Sequence, residues 1–230
     1  MLSAGERPQP PISAAVVDPT RTPVSKVTLD ASTSSMWPET TKAENLQHIW
    51  VVTGPAGCGK STVGRGLQKQ LGVPFLEGDD FHPHANKEKM SSGTPLTDED
   101  RWDWLISLRK AAIEALSPCE ANGYHPPPGV VVACSALKQK YRDVMRVAAY
   151  GSPSVQIHFI YLRLDESILL QRVQQRSSHY MKSSMVQSQL QTLEEPQGEW
   201  DALTVNVQGS QEQVQSKVMD LVEAKLAEYE

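Results

Sequence analysis

The segment Gly54-Pro55-Ala56-Gly57-Cys58-Gly59-Lys60-Ser61 matches the pattern G-x-x-x-x-G-K-[ST]. It constrains the fold more than any other part of the chain. The β-branched run ending at Thr53 reads as a strand, and a helical pattern begins at Lys60, so the loop lies between strand and helix. Glycines allow backbone N–H groups to turn inward around an anion without Cβ clashes. The helix start adds free N–H groups and a favourable dipole. Lys60 can reach the β- and γ-oxygens of a bound nucleoside triphosphate, and Ser61 can offer its hydroxyl to Mg²⁺. The expected nucleotide-binding residues are Gly54, Pro55, Ala56, Gly57, Cys58, Gly59, Lys60, Ser61 and Thr62, with Cys58 a small loop residue rather than a redox switch.

Strand and helix patterns alternate from residue 46 onward. Strands are expected at 48–53, 73–76, 130–134, 155–162 and 203–207. Helices are expected at 61–71, near 86–91, and at 98–116, 139–149, 165–176 and 211–228. This alternation predicts an α/β fold: a three-layer P-loop NTPase architecture with a five-stranded parallel sheet and helices on both faces. Residues 122–129 form a turn-rich insertion before the third strand. The polar, weakly periodic stretch at about 177–190 is expected to be a small lid within a kinase domain spanning 46–230.

Residues 1–45 carry six prolines and 12 Ser/Thr without a sustained period, and are expected to form a disordered arm. A transit peptide is the alternative; five acidic residues against four basic ones weigh against it. The formal net charge of −5 gives no electrostatic footprint for nucleic acid, so no nucleic-acid partner is expected. No apolar run approaches the ~20 residues that span a bilayer, so no membrane partner is expected either. Three cysteines without CxxC spacing fit free thiols in a reducing compartment, and the cytoplasm is the expected location.

P-loops serve GTPases, transport ATPases and small-molecule kinases, and there is no NKxD motif for guanine recognition. The strand at 130–134 ends in Cys134-Ser135, without the acidic residue of a usual Walker B strand. Carboxylates follow the second strand instead, at Glu77, Asp79 and Asp80. Loops at strand C-termini line the ligand crevice of an open parallel sheet. One carboxylate near Mg²⁺ and another near an acceptor hydroxyl suit phosphoryl transfer to an alcohol. The alternative is that these acids cap the helix starting near Pro83. Arg172 and Arg176 lie i, i+4 and can point together at a phosphate. Of Trp102 and Trp104, one is expected to pack against the acceptor side. The pair His82 and His84 has no third ligand at a metal-binding spacing.

The chain resembles the P-loop gluconokinases, of adenylate- and shikimate-kinase-like type, over roughly residues 46–208. The matching motifs include the P-loop, Phe75-Leu76-Glu77-Gly78-Asp79, His82-Pro83, Glu88-Lys89-Met90, Asp98-Glu99-Asp100-Arg101 and Trp104-Leu105. Further matches are Cys134-Ser135-Ala136-Leu137-Lys138, Tyr141-Arg142-Asp143, Arg172, Arg176, His179-Tyr180-Met181, Ser188-Gln189 and the 192–196 segment. The resemblance implies ATP- and Mg²⁺-dependent phosphorylation of D-gluconate to 6-phosphogluconate, feeding the pentose phosphate pathway, by proteins that often are homodimers. By position, Asp79 would orient or deprotonate the gluconate hydroxyl, and Glu77, with Ser61, would stand near the metal. His82, Lys89, Arg101 and Ser135 would hold gluconate, while Lys60, Arg172 and Arg176 would serve the transferring phosphate. The competing readings are a kinase for another small hydroxy acid or sugar acid, and a non-catalytic ATP-binding regulator.

Overall fold

The structure, a computed structural model, describes residues 46–175 and 183–229. The arm expected over 1–45, Arg176 and the first part of the lid lie outside these residues. The strands are β1 (Gln47–Thr53), β2 (Phe75–Glu77), β3 (Gly129–Ala133), β4 (Val155–Arg163) and β5 (Ala202–Asn206). The α-helices are α1 (Lys60–Leu71), α2 (His84–Ser92), α3 (Asp98–Ala115), α4 (Gln139–Tyr150), α5 (Glu166–Gln175), α6 (Ser183–Thr192) and α7 (Gln211–Leu226). The strands form one parallel sheet in the order β2-β3-β1-β4-β5. Among the described residues, no helix is long and apolar enough to cross a membrane.

The three central strands are near-continuous apolar runs because both faces are covered. On one face Trp50, Val52, Ile160 and Leu162 pack against Val63 and Leu67 of α1 and Val214, Val218 and Val222 of α7. On the other face Ile49, Val51, Val132 and Phe159 pack against Leu105 and Leu108 of α3 and Tyr141 and Met145 of α4. The two side-chain sets alternate along each strand, as the period of two requires.

Local chemistry sets the ends of the elements. Gly72 closes α1 in the left-handed conformation, and Pro74 follows, so β2 begins at Phe75 rather than at the expected Val73. Capping boxes start α3 (Thr97 with Asp100) and α7 (Ser210 with Gln213). The stretch expected to be a weakly periodic lid contains α6, anchored by the fully buried Val186. The chain before β5 is held to α4 by buried ion pairs: Arg142 to Glu199, and Arg146 to Asp201 at 2.7 Å. Removing one partner of such a pair costs about 3–5 kcal/mol.

Candidate active site

The phosphate-binding loop joins β1 to α1. Gly54, Gly57 and Gly59 all have positive φ, of 142°, 88° and 108°. A Cβ at Gly57 would also lie 2.7 Å from Val173 Cγ2, so a side chain there meets both backbone strain and a clash. The loop is tied to the chain after β3, since Thr53 Oγ1 and the Gly54 N–H both donate to the Ser135 carbonyl. Gly59 brings no side-chain cap to α1, and the first turn of α1 holds no acidic residue. Its N–H groups therefore face an anion without a competing carboxylate.

A cavity of about 310 Å³ opens over this loop. Its lining includes Ala56, Gly57, Gly59, Lys60, Ser61 and Thr62 of the loop and the start of α1, and Glu77, Asp79, His82, Arg101, Trp104 and Ser135 from the other segments. Phosphate-binding and acceptor-side residues thus share one space. Asp79 lies in a 3₁₀ turn, Gly78–Phe81, directly after β2. Gly78 is required there because a Cβ would run into the Ala133 carbonyl oxygen. The Trp104 indole N–H donates to the Gly78 carbonyl at 2.7 Å.

Asp79 and Asp80 are both exposed, but of the two only Asp79 lines the cavity. No side chain caps α2 at Pro83, so the capping alternative for these acids does not hold. Burial pushes the Glu77 carboxyl up from its ordinary range, opposed by a hydrogen bond from Ser61; nearby Asp79 pushes it up further. Glu77 and Ser61 thus form a pair of hard oxygen donors beside Lys60. His82 stacks on Trp104, with centroids 4.1 Å apart and planes at 18°. Burial pulls its pKa down to about 4, so the ring is neutral at pH 7. Its buried Nδ1 has no partner among the described residues, which leaves it free to bond a polar ligand.

Arg101 lines the cavity; it donates to the Thr97 carbonyl at 2.9 Å and lies 5.4 Å from the Tyr141 ring centre. Asp98 and Asp100, two acids in the first turn of its own helix, are engaged elsewhere: Asp98 by Lys138, Lys140 and Tyr141, and Asp100 by Lys89. Lys89 does not line the cavity, and its ammonium is 2.6 Å from Asp100. Arg172 does not line this cavity; it lines a neighbouring recess with Cys58, Thr62, Val63 and Val207 and donates to the Val207 carbonyl. Gly54 and Pro55 shape the loop without lining the cavity, and Lys60 Nζ donates to the Pro55 carbonyl at 3.1 Å. Trp104 is the tryptophan on the acceptor side, whereas Trp102 meets Tyr141 edge-on. Among the described residues no cluster of three or more His, Cys, Asp or Glu could hold a metal. Burial raises both Cys58 and Cys134, the latter to about 12, so both stay thiols.

Gln189 is a site residue to which the sequence assigns no role. Its Oε1 accepts from the Ala56 N–H at 2.7 Å, and it lines the cavity. The sequence signals are its place in the matching segment Ser188-Gln189 and the i, i+4 pair Val186 and Leu190, which marks a helix docked near the loop.

A family model described as an AAA domain matches residues 49–196. A protein of Schizosaccharomyces pombe named "Probable gluconokinase" is 42% identical over 76% of this chain and 88% of its own length. The thermoresistant gluconokinase of Escherichia coli K12 is 37% identical, over 76% of this chain and 93% of its own. The crystal structure of a gluconokinase from Sinorhizobium meliloti 1021 superposes with a TM-score of 0.67 at 39% identity, covering 80% of this chain and 95% of that one.

Proposed function

This chain belongs to the P-loop gluconokinase family, and from that premise we propose that it transfers the γ-phosphate of ATP to D-gluconate, giving 6-phospho-D-gluconate and ADP. One observation carries the reading: Lys60 of the phosphate loop and Asp79 of the acceptor side line the same cavity, with Arg101 and His82 beside them. Gluconate is a polyol with a carboxylate. Arg101 offers a planar donor for the carboxylate, and neutral His82 and Ser135 suit its hydroxyls. Lys89 is engaged by Asp100 and does not line the cavity.

In the transfer, Asp79 accepts the proton of the attacking hydroxyl as its oxygen bonds to the γ-phosphorus and the bond to the ADP oxygen breaks. Lys60 and the loop amides hold the phosphate oxygens as charge shifts to the leaving group. Mg²⁺ would be held by Ser61, with Glu77 near it, and would neutralise phosphate charge. A hydroxyl and a carboxylate fit this hard cation, which otherwise takes water and phosphate oxygens. Arg172 lines the neighbouring recess, taken here as the nucleoside side, and Arg176 lies outside the described residues. The free thiols suit a reducing, ATP-supplied cytoplasm.

The test is ATP turnover by the purified protein across a panel of sugar acids, with shikimate and no acceptor as controls. A strong, gluconate-dependent release of ADP is expected. Equal rates on shikimate and gluconate would overturn the substrate. Tight ATP binding without turnover on any acceptor would overturn the activity.

A further inference from the structure

The contact between α6 and the phosphate loop has a polarity that hydrogen-bond chemistry fixes. Ala56 N–H is a donor, so only the Oε1 end of the Gln189 carboxamide can meet it, at 2.7 Å. The other end, Nε2, carries two donors, and Gln189 lines the cavity. The position along the loop is equally informative. Ala56 and Gln189 line the cavity that holds Asp79 and Arg101, whereas Cys58 and Arg172 line a neighbouring recess that shares Gly57, Gly59 and Thr62 but contains neither Asp79 nor Arg101. A triphosphate laid along the loop must present its terminal phosphate at the Asp79 end, because the acceptor hydroxyl is activated there. On that orientation Gln189 stands on the terminal-phosphate side of the loop, in the cavity that also holds Asp79.

The side chain stands on a fixed support. Val186 of α6 is fully buried in a core shared with Leu169 and Val173 of α5, and Leu190 packs against the same core. Beyond α6, Glu194 accepts from the Gln139 N–H at 2.8 Å, and its own N–H donates to the Leu137 carbonyl. A donor on such an element is held in place before the phosphate arrives.

We propose that Gln189 is a γ-phosphate-contacting residue: anchored through Oε1 on Ala56, it donates through Nε2 to an oxygen of the terminal phosphate of ATP. In the transfer step this rests on the kinase reading above; as a determinant of nucleotide binding it does not. As the phosphoryl group moves, the neutral amide holds one equatorial oxygen while Lys60 serves others, without adding a charge that would have to be lost on product release.

The decisive variant is Gln189→Glu. It keeps the size and the acceptor on Ala56 but replaces the donors by a negative charge. The measurement is the affinity for ADP and for a non-hydrolysable ATP analogue with an imido β–γ bridge, by calorimetry, together with kcat on gluconate. We expect ADP affinity within about twofold of wild type, and affinity for the analogue and kcat each lower by about tenfold or more. The deficit relative to wild type should shrink as the pH is lowered toward the carboxylate range, where the introduced carboxyl group takes up a proton and can donate again. Wild-type binding of both nucleotides would overturn the proposal and leave Gln189 a strut for Ala56. Equal losses for ADP and the analogue would also overturn it, by showing that the residue shapes the whole loop. Failure of the wild-type protein to phosphorylate gluconate would instead strike the proposed function and leave the two-nucleotide comparison standing.

Discussion

The Trp104 indole N–H and the Gly78 carbonyl oxygen are 2.7 Å apart, and through this bond helix α3 fixes the turn that carries Asp79. Trp104→Phe should keep the stacking against His82 but leave the Gly78 carbonyl without its donor. An unsatisfied buried carbonyl costs about 1–3 kcal/mol. The variant should show that loss in denaturant unfolding, with a larger rise in KM for gluconate than for ATP. An equal rise in both would mean that the indole supports the fold rather than the acceptor side.

Gly78 itself tolerates no side chain, because a Cβ there meets the backbone oxygen of Ala133. Gly78→Ala should therefore displace Asp79 and lower kcat on gluconate at least about tenfold. ATP binding, measured by calorimetry, should stay near wild type, because the phosphate loop is on a separate segment.

Asp79→Ala should leave ATP affinity within about twofold of wild type while kcat falls by roughly two to four orders of magnitude, the usual reach of general base catalysis. Lys60→Ala should weaken ATP binding and transfer together. Unchanged turnover in the first variant would take Asp79 out of the mechanism.

Arg101 and Lys89 should differ. Arg101 lines the cavity, and losing a charge-assisted contact to the gluconate carboxylate costs about 1.5–3 kcal/mol. Arg101→Ala should raise the gluconate KM by about 10- to 150-fold. Lys89→Ala removes an ammonium already paired with Asp100 and should change it by less than about threefold. A reversed order in steady-state kinetics would assign the carboxylate to Lys89.

Acid should destabilise the fold through a buried histidine pair. His48 Nδ1 and His158 Nε2 are 3.0 Å apart at the N-terminal end of the sheet, with Trp50 and Tyr229 around them. Burial, then His48 and Lys225, hold His158 down to about 3; burial lowers His48 as well. Below the ordinary value of 6.5 the unfolded chain takes up protons that the folded pair refuses. Stability from this source is full above about pH 6.5 and declines toward pH 3, at up to about 1.4 kcal/mol per pH unit for each proton. His82 adds to the same window. Thermal melts of His158→Phe should show a shallower fall of Tm between pH 6.5 and 4. Parallel curves for variant and wild type would exclude the pair as an acid sensor.

Much of this site is legible in the chain because its signals are local. Gly57, Gly59, Lys60 and Ser61 are contiguous, so their spacing alone specifies a loop that turns N–H groups toward an anion. The strands and most helices follow from periodicity, and a five-stranded parallel sheet follows from their alternation. The missed features are non-local. Helix α6 is mostly polar, and only its docking against α5 explains why Val186 and Leu190 suffice to hold it. Apart from the family resemblance, the sequence left Asp79 and Asp80 as neighbours with similar chemistry; both are exposed in the 3₁₀ turn, but only Asp79 lines the cavity.

Taken alone, then, the sequence determined the phosphate loop, the sheet and the family to which the chain belongs, since each is written in short-range spacing or in motifs strung along the core. The tertiary structure decided which charges remain for a ligand. Lys89 and Arg101 are equivalent cations on paper, but Asp100 claims the first and the fold turns the second into the cavity. It also decided that Gln189 meets Ala56 across 133 positions of chain, a contact made only when α6 packs beside the loop. Ion pairing and hydrogen bonding depend on distances of a few ångströms between segments remote in sequence, and only packing sets those distances.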